Sequence, residues 1–298
     1  MQVFVTGATG FIGSAVVKEL IAAGHGVLGL CRSQEKAADL AAAGAEVLLG
    51  SIEDADILTQ GAARSDGVIH LAFNHDFSKF AANCEDDRRV IATLGAALAG
   101  SKRPLLVTSG TAIANTAPGQ PATEDGATVG SQTNPRAASE EAAAALAADG
   151  INVSVVRLPQ VHDTRRQGLI TYVIDVYRDK GACTYIGDGS VSWPAAHISD
   201  VARLYRLALE RAEPGAKYHA VAETGVSFRE IAETLGRRLN LPTRSIAAED
   251  AAATFGWLAM FAAHDMTASS TQTRKQLGWE PGGPRMLDDL KQLQLDVH

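Results

Sequence analysis

One short segment near the start of the chain constrains the fold more than any other: Val3-Phe4-Val5-Thr6-Gly7-Ala8-Thr9-Gly10-Phe11-Ile12-Gly13. Its apolar beginning predicts a buried strand, and glycines at every third position allow a sharp turn and a close backbone approach to a ligand. A helix that begins at such a turn offers free N–H groups and a positive dipole end to a pyrophosphate. A turn with only a structural role is the alternative. The segment predicts a dinucleotide site formed by Gly7, Thr9, Gly10, Phe11, Ile12 and Gly13.

The first half of the chain alternates β-rich runs with Ala-rich stretches, which is typical of a parallel sheet covered on both faces. Strands are predicted at 2–6, 26–30, 46–49, 67–71, 105–108 and 152–157, and helices at 12–23, 34–42, 55–61, 86–99 and 135–148. Beyond residue 157 the pattern predicts strands at 184–186 and 218–221 and helices at 168–180, 200–211, 228–239, 248–263 and 270–277. The stretch 112–133 is rich in Gly, Pro, Thr and Asn and predicts a long binding loop.

These elements predict an α/β protein with a Rossmann-type, doubly wound parallel sheet. We expect a dinucleotide-binding domain over residues 1–160, to which some later segments return, and a smaller, mostly helical substrate-binding region over 161–298.

Composition excludes several classes of partner. The net charge is −7 and Lys and Arg form no run, which argues against nucleic acid and anionic membranes. Cys31, Cys84 and Cys183 are isolated, so neither a disulfide framework nor a metal site is expected. No apolar stretch reaches 18 residues, and the first strand begins at Gln2, so we expect a cytoplasmic protein without a membrane span or signal peptide.

The end of the second strand indicates which dinucleotide is bound. Arg32 and Ser33 lie about 20 residues after the glycine turn, where an acidic residue would accept from the ribose 2′-OH of NAD. A cation and a hydroxyl suit a 2′-phosphate instead, so we expect NADPH, with NADH also possible. A solvated arginine at a strand end is the alternative. Ser51 and Ile52, after the third strand, are also assigned to the cofactor.

Several segments together resemble the extended short-chain dehydrogenases/reductases, a family that includes NAD-dependent epimerases and dehydratases. They are Thr6–Gly13, Val68-Ile69-His70-Leu71-Ala72, Val156-Arg157-Leu158-Pro159-Gln160-Val161, Gly187-Asp188-Gly189 with His197-Ile198-Ser199-Asp200-Val201-Ala202, and Arg274-Lys275-Gln276-Leu277-Gly278-Trp279-Glu280-Pro281. The resemblance spans nearly the whole chain. It implies that the cofactor also contacts Leu71, Ala72, Phe73, Thr108 and Pro159.

The chain departs from this family at its catalytic positions. Members usually carry Tyr-x-x-x-Lys on the helix after the fifth strand, but Arg136 and Glu140 occupy those positions here. None of the five tyrosines has a lysine four residues later. The family's catalytic Ser or Thr aligns with Gly110, which leaves Ser109 or Thr111 to supply a hydroxyl. The chain therefore resembles atypical members, including ketoreductases of aromatic polyketides such as the angucyclinone ketoreductase of simocyclinone biosynthesis.

Six residues are candidates for contacts with the substrate, and most have a structural alternative. Phe73 is as compatible with the core as with the pocket, His162 is either a replacement acid or a solvated loop residue, and Trp193 either stacks on a flat ring or covers the core. Arg136 either seals the pocket or pairs with Glu140 on one helix face. The set is Phe73, Asn74, His75, Arg136, His162 and Trp193.

The resulting hypothesis is an NADPH-dependent ketoreductase that acts on a small-molecule ketone, bulky and aromatic. Ser109 and Thr111 would hydrogen-bond the carbonyl, and the proton would come from solvent or from a hydroxyl of the substrate. Two alternatives stay open. One is a non-catalytic NADP(H) sensor; the other is a sugar-nucleotide epimerase or dehydratase with bound NAD, which the missing Tyr and Lys and the presence of Arg32 disfavour.

Overall fold

The computed structural model describes residues 1–114 and 119–295, so part of the predicted 112–133 loop, residues 115–118, lies outside the described residues. The strands are β1 Gln2–Thr6, β2 Gly26–Cys31, β3 Glu46–Leu49, β4 Gly67–His70, β5 Leu105–Gly110, β6 Val153–Leu158, β7 Gln160–His162, β8 Cys183–Ile186, β9 Ser192–His197, β10 Lys217–His219, β11 Glu223–Ser227 and β12 Thr243–Ile246. The helices are α1 Phe11–Ala22, α2 Gln34–Ala42, α3 Ala55–Ala63, α4 Phe80–Leu98, α5 Ala138–Ala148, α6 Leu169–Lys180, α7 Ile198–Arg211, α8 Phe228–Leu239, α9 Ala251–Phe255, α10 Ala259–Ala262, α11 Thr271–Leu277 and α12 Met286–Lys291.

A seven-stranded sheet forms the centre of the molecule, in the order β10-β6-β5-β4-β1-β2-β3. Every pairing in it is parallel, so the carboxyl ends of its strands share one edge. The chain runs outward from β1 in both directions, through β2 on one side and β4 on the other. Ligands of open α/β sheets bind in the crevice at such a switch point. The predicted Rossmann-type α/β fold is confirmed.

Alternation along the strands explains why both faces of the sheet are covered. In β1, Val3 and Val5 point to a core shared with α1 and α7, whereas Phe4 points to a core shared with α3 and α4. The strand is buried on both sides, as its continuous apolar run predicts. Although α7 and β10 come after residue 160, α7 packs on α1 and β10 extends the sheet.

The second half of the chain forms a smaller body with its own core. It holds a three-stranded sheet, β11-β9-β7, and a two-stranded sheet, β12-β8, together with α6, α8 and the C-terminal helices. The helix predicted over 248–263 is broken: α9 ends at Phe255, the next residue Gly256 has a left-handed φ of +56°, and α10 begins after a 3₁₀ turn. Within residues 1–114 and 119–295, no helix is long and apolar enough to cross a membrane.

Candidate active site

The glycine turn between β1 and α1 is closely packed against the end of β4. Gly7 has φ +68°, and a Cβ on it would lie 2.8 Å from the Ala72 backbone nitrogen. A Cβ on Gly13 would lie 2.0 Å from the Gly7 carbonyl oxygen. Gly10 is the N-cap of α1 and has no side chain to satisfy the first N–H groups of the helix. The turn therefore has the shape and the free donors that fit a pyrophosphate.

Replacing Gly13 with alanine should open this turn, because the new methyl group has no room beside the Gly7 carbonyl. We expect the Kd for NADPH, measured by fluorescence titration, to rise about tenfold or more. Gly282→Ala is the matched control, since a Cβ at Gly282 meets nothing within 4 Å. Unchanged affinity in a folded Gly13→Ala variant would contradict a role of this turn in cofactor binding.

A cavity of about 950 Å³ begins at the glycine turn and follows the carboxyl edge of the sheet into the smaller body. It is lined by most of the residues that the sequence assigns to the cofactor: Gly7, Thr9, Gly10, Phe11, Ile12, Gly13, Arg32, Ile52, Leu71, Ala72, Phe73 and Pro159. Two further charged residues, Lys36 and Glu53, lie at the same end and were not predicted. Lys36 lies only four residues after Arg32 in the sequence, and a second cation so close to Arg32 was the signal that could have identified it.

Three residues assigned to the cofactor do not line this cavity. The Ser33 hydroxyl accepts from the Lys36 backbone N–H at 3.4 Å and caps α2. The Ser51 hydroxyl accepts from the Glu53 N–H at 3.3 Å. The Thr108 hydroxyl donates to the His70 carbonyl at 2.7 Å. Each of these side chains therefore makes a hydrogen bond to a backbone group.

Arg136, at the family's tyrosine position, lines the cavity and is held rigidly. Its Nη1 lies 2.9 Å from Oδ2 of Asp87 and also donates to the Ser139 hydroxyl, and its Nη2 donates to the Thr108 carbonyl at 2.7 Å. The guanidinium lies over the Phe73 ring, 4.4 Å from its centroid. The alternative that Arg136 pairs with Glu140 is wrong, because Arg136 pairs with the buried carboxylate of Asp87 instead.

Asp87 connects Arg136 to the strand that carries the glycine turn. Burial favours a raised pKa for Asp87, but the hydrogen bond and charge of His70, with Arg136 and Ser139, lower the pKa to about 2. His70 Nε2 lies 2.9 Å from Asp87 Oδ1, and His70 Nδ1 lies 2.7 Å from the Thr6 hydroxyl. Asp87 is therefore a buried carboxylate at neutral pH that fixes the position of the Arg136 cation.

Glu140, at the family's lysine position, lies away from this cavity. Its two oxygens accept from Nε and Nη2 of Arg157, both at 2.8 Å, and both side chains are buried. Arg157 Nη1 also lies 3.1 Å from His219 Nε2. The residue in place of the lysine therefore links α5 to β6 and does not face a ligand.

The two predicted hydroxyl donors differ in position. Ser109 is 3% exposed, its hydroxyl has no hydrogen-bond partner within the described residues, and it does not line the cavity. Side chains alternate along β5, so Ser109 shares with Val107 the face covered by α4 and α5. Thr111 does line the cavity, and its hydroxyl lies 3.4 Å from the Leu158 carbonyl oxygen. The structure therefore places Thr111, and not Ser109, in the cavity lining.

His162 and Trp193 also lie outside the cavity, contrary to the prediction. His162 is fully buried with Nδ1 2.7 Å from Asp289 Oδ2, and burial lowers its pKa. Trp193 is fully buried edge-on to Phe228, with ring centroids 5.0 Å apart, and its Nε1 donates to the Phe261 carbonyl at 3.2 Å. Both side chains stabilise the smaller body.

Aromatic side chains form one side of the cavity. Phe73, Asn74 and His75 follow β4 and line it as predicted, and Phe77 and Tyr172 join them. Tyr172 meets Phe77 edge-on, with centroids 5.7 Å apart.

Two more rings pack against Phe77. Phe80 also lines the cavity, 5.8 Å from Phe77, whereas Trp257 does not line it and stacks on Phe77, with centroids 4.2 Å and planes 15° apart. We call Phe77, Phe80 and Tyr172, with Trp257 stacked on Phe77, the aromatic wall. Sequence reasoning missed most of it because its members come from three distant segments.

The comparisons with known proteins agree with this geometry. The model of the NAD dependent epimerase/dehydratase family matches residues 3–222. An uncharacterized protein of Schizosaccharomyces pombe is 44% identical over 291 residues, which are 97% of this chain and 98% of the relative. A 4-hydroxy-2-methyl-3-oxo-4-farnesyl-3,4-dihydroquinoline-1-oxide ketoreductase of Stigmatella aurantiaca is 39% identical over 72 residues, 24% of this chain and 22% of the relative.

Among solved structures, the dTDP-glucose 4,6-dehydratase DesIV of Streptomyces venezuelae, with bound NAD, has a TM-score of 0.78 at 20% identity. The match covers 98% of this chain and 95% of DesIV, and it is a likeness of fold. The resemblance to angucyclinone ketoreductases stays a prediction. The family match over residues 3–222, together with the glycine turn, establishes that the chain belongs to the NAD dependent epimerase/dehydratase family.

Proposed function

We propose that the protein is an NADPH-dependent ketoreductase in which Arg136 takes the place of the missing tyrosine at the substrate carbonyl. The observation that carries the proposal is the fixed guanidinium in the cavity. Its described bonds, to Asp87, Ser139 and the Thr108 carbonyl, use three of its five N–H groups. Nε–H and one Nη2–H have no partner among residues 1–114 and 119–295 and are available to a ligand.

A fixed cation stabilises the charge that develops on the carbonyl oxygen during reduction. When bound, the reduced nicotinamide supplies the hydride. Arg136 donates N–H groups to the substrate oxygen, and Asp87 keeps these donors in place before the reaction, which is the arrangement that lowers a barrier most. The Thr111 hydroxyl lines the same cavity and becomes a second donor when its proton turns from the Leu158 carbonyl, 3.4 Å away, to the substrate oxygen. Arginine does not release a proton in proteins, so the proton comes from water or from a substrate hydroxyl beside the carbonyl.

The aromatic wall supports a flat, bulky substrate. Aromatic rings favour stacked or edge-on contacts with other rings, and here several of them line one cavity. The similarity to part of a ketoreductase whose substrate is a substituted quinoline agrees with reduction of a ketone fused to an aromatic ring. An aromatic polyketide likewise contains a ketone fused to an aromatic ring.

Arg32 and Lys36 favour NADPH over NADH, since both line the cavity beyond β2 and carry positive charge. In an Arg32→Asp variant we expect the Kd for NADPH to rise about tenfold or more while the Kd for NADH changes little, because only NADPH places a 2′-phosphate there. Fluorescence titration with each cofactor measures both constants. Arg211→Asp, at an exposed position on α7, is the control. An equal loss for the two cofactors would contradict the proposed preference.

Steady-state NADPH oxidation with a panel of polycyclic aromatic ketones tests the ketoreductase directly, and dTDP-glucose with NAD tests the alternative of a sugar-nucleotide enzyme. The proposal requires turnover of at least one ketone. Tight NADPH binding without turnover of any ketone or sugar nucleotide would instead support an NADP(H) sensor. The absence of Tyr and Lys is also compatible with a sensor. Conversion of the sugar nucleotide alone would support the epimerase or dehydratase.

A further inference from the structure

The cavity carries a second group of cations in the smaller body: Arg165, Arg166 and Arg178, which we call the arginine end. Arg165 and Arg166 follow β7, and Arg178 lies on α6. The arginine end and Arg32 follow strands on opposite sides of β1: β6, which leads into β7, lies four places from β2 in the sheet, about 19 Å at ~4.8 Å per neighbour. The cofactor phosphates that would bind Arg32 and Lys36 therefore do not account for the arginine end.

The loop that presents these arginines is held in place. The backbone N–H groups of Arg165 and Arg166 donate to Asp163 Oδ1 at 2.6 and 2.7 Å, and Gln294 N–H donates to the Thr164 carbonyl at 2.7 Å. Nη2 of Arg178 donates to the Leu295 carbonyl at 3.3 Å. The guanidinium groups of Arg165 and Arg166 have no hydrogen-bond or ion-pair partner within the described residues.

The charge of the cavity is opposite to that of the whole chain. The chain carries −7, but the cavity lining contains six Lys and Arg against two acids, Glu53 and Asp175. Phosphate groups of the cofactor account for the charges of Arg32 and Lys36, and the Asp87 carboxylate balances the charge of Arg136. At the arginine end three cations remain against Asp175 in the lining and Asp163 beneath the loop, so this part of the cavity keeps a net positive charge that attracts an anion.

We infer that the substrate carries an anionic group, a carboxylate or a phosphate, which binds the arginine end while its apolar rings lie along the aromatic wall. Arginine suits both anions because its planar fork donates two parallel hydrogen bonds. An anionic group narrows the class of substrate for the proposed reduction, and only the reacting carbonyl rests on that proposed function. The anion site itself does not depend on turnover.

Isothermal titration of the full chain saturated with NADP⁺ tests this site without a reaction. The probes are 2-naphthoate, its neutral methyl ester and 2-naphthyl phosphate. We expect one or both anions to bind about tenfold or more tightly than the ester, and the tighter anion identifies the group. The variant R165Q/R166Q/R178Q should lose this preference and keep its affinity for the ester.

The control variant R211Q/R237Q/R244Q removes the same charge from exposed positions outside the cavity and should keep the preference. Equal affinity of the wild-type chain for the ester and both anions would overturn the inference. So would an anion preference that survives in R165Q/R166Q/R178Q. Because the wild-type comparison needs neither variant nor turnover, its result stands even if no ketone is reduced.

Discussion

Replacing Arg136 with methionine should lower kcat for ketone reduction by about 100-fold or more and leave the Kd for NADPH nearly unchanged. Loss of one preorganised donor to a developing oxyanion costs about 10²–10³ in rate, and Arg136 is the cation held in the cavity by Asp87. Steady-state kinetics and a cofactor titration measure the two effects separately.

The single variant leaves Asp87 buried without its cationic partner, which is destabilising. The double variant R136M/D87N removes both charges, while the amide introduced in place of the carboxylate still offers an oxygen to His70. This variant should fold and bind NADPH but stay as slow as R136M. The conservative Arg136→Lys should recover part of kcat. A folded R136M/D87N variant with wild-type kcat would remove Arg136 from the mechanism.

Replacing Glu140 with leucine should lower the free energy of unfolding by about 3–5 kcal/mol, because it leaves the Arg157 cation buried without a carboxylate. Arg157 is 0% exposed, and both Glu140 oxygens accept from it at 2.8 Å. Urea unfolding followed by circular dichroism measures the change. The effect should be on stability, since Glu140 does not line the cavity.

The double variant E140L/R157M should recover much of this loss, because it replaces a buried ion pair by apolar side chains. By contrast, Glu140→Lys, which restores the lysine usual in the resembling family, should destabilise at least as much as E140L, since it places two cations together. If E140L were as stable as the wild type but catalytically dead, Glu140 would belong to the catalytic apparatus and not to the scaffold.

Most of the central sheet was predictable because its signals are local. β1 and β3 have their predicted bounds, and β2 and β4–β6 differ by at most two residues at an end, since each is an apolar run between turn residues. β7 is only three residues long, and β9 contains Pro194, so neither gives a clear period. They form by pairing in a separate sheet, where β9 lies between β7 and β11.

The lining of the cavity beside the glycine turn was also predictable, whereas the surroundings of Arg136 depend on contacts between distant residues. Asp87 is 49 positions before Arg136, and no local pattern indicates that they meet. The burial of His162 depends likewise on Asp289. Alternation along β5 predicts that Ser109 shares a face with Val107, but only the packing shows that α4 and α5 cover this face.

Hydride transfer to a ketone in the cavity that holds Arg136 is measured most directly with NADPH that carries deuterium at the transferable position. The substrates are polycyclic aromatic ketones with and without a carboxylate, and mass spectrometry analyses the product. We expect an alcohol that carries one deuterium, formed by the wild-type chain and about 100-fold more slowly by R136M/D87N. Tight binding of NADPH with no deuterated alcohol from any ketone would contradict it.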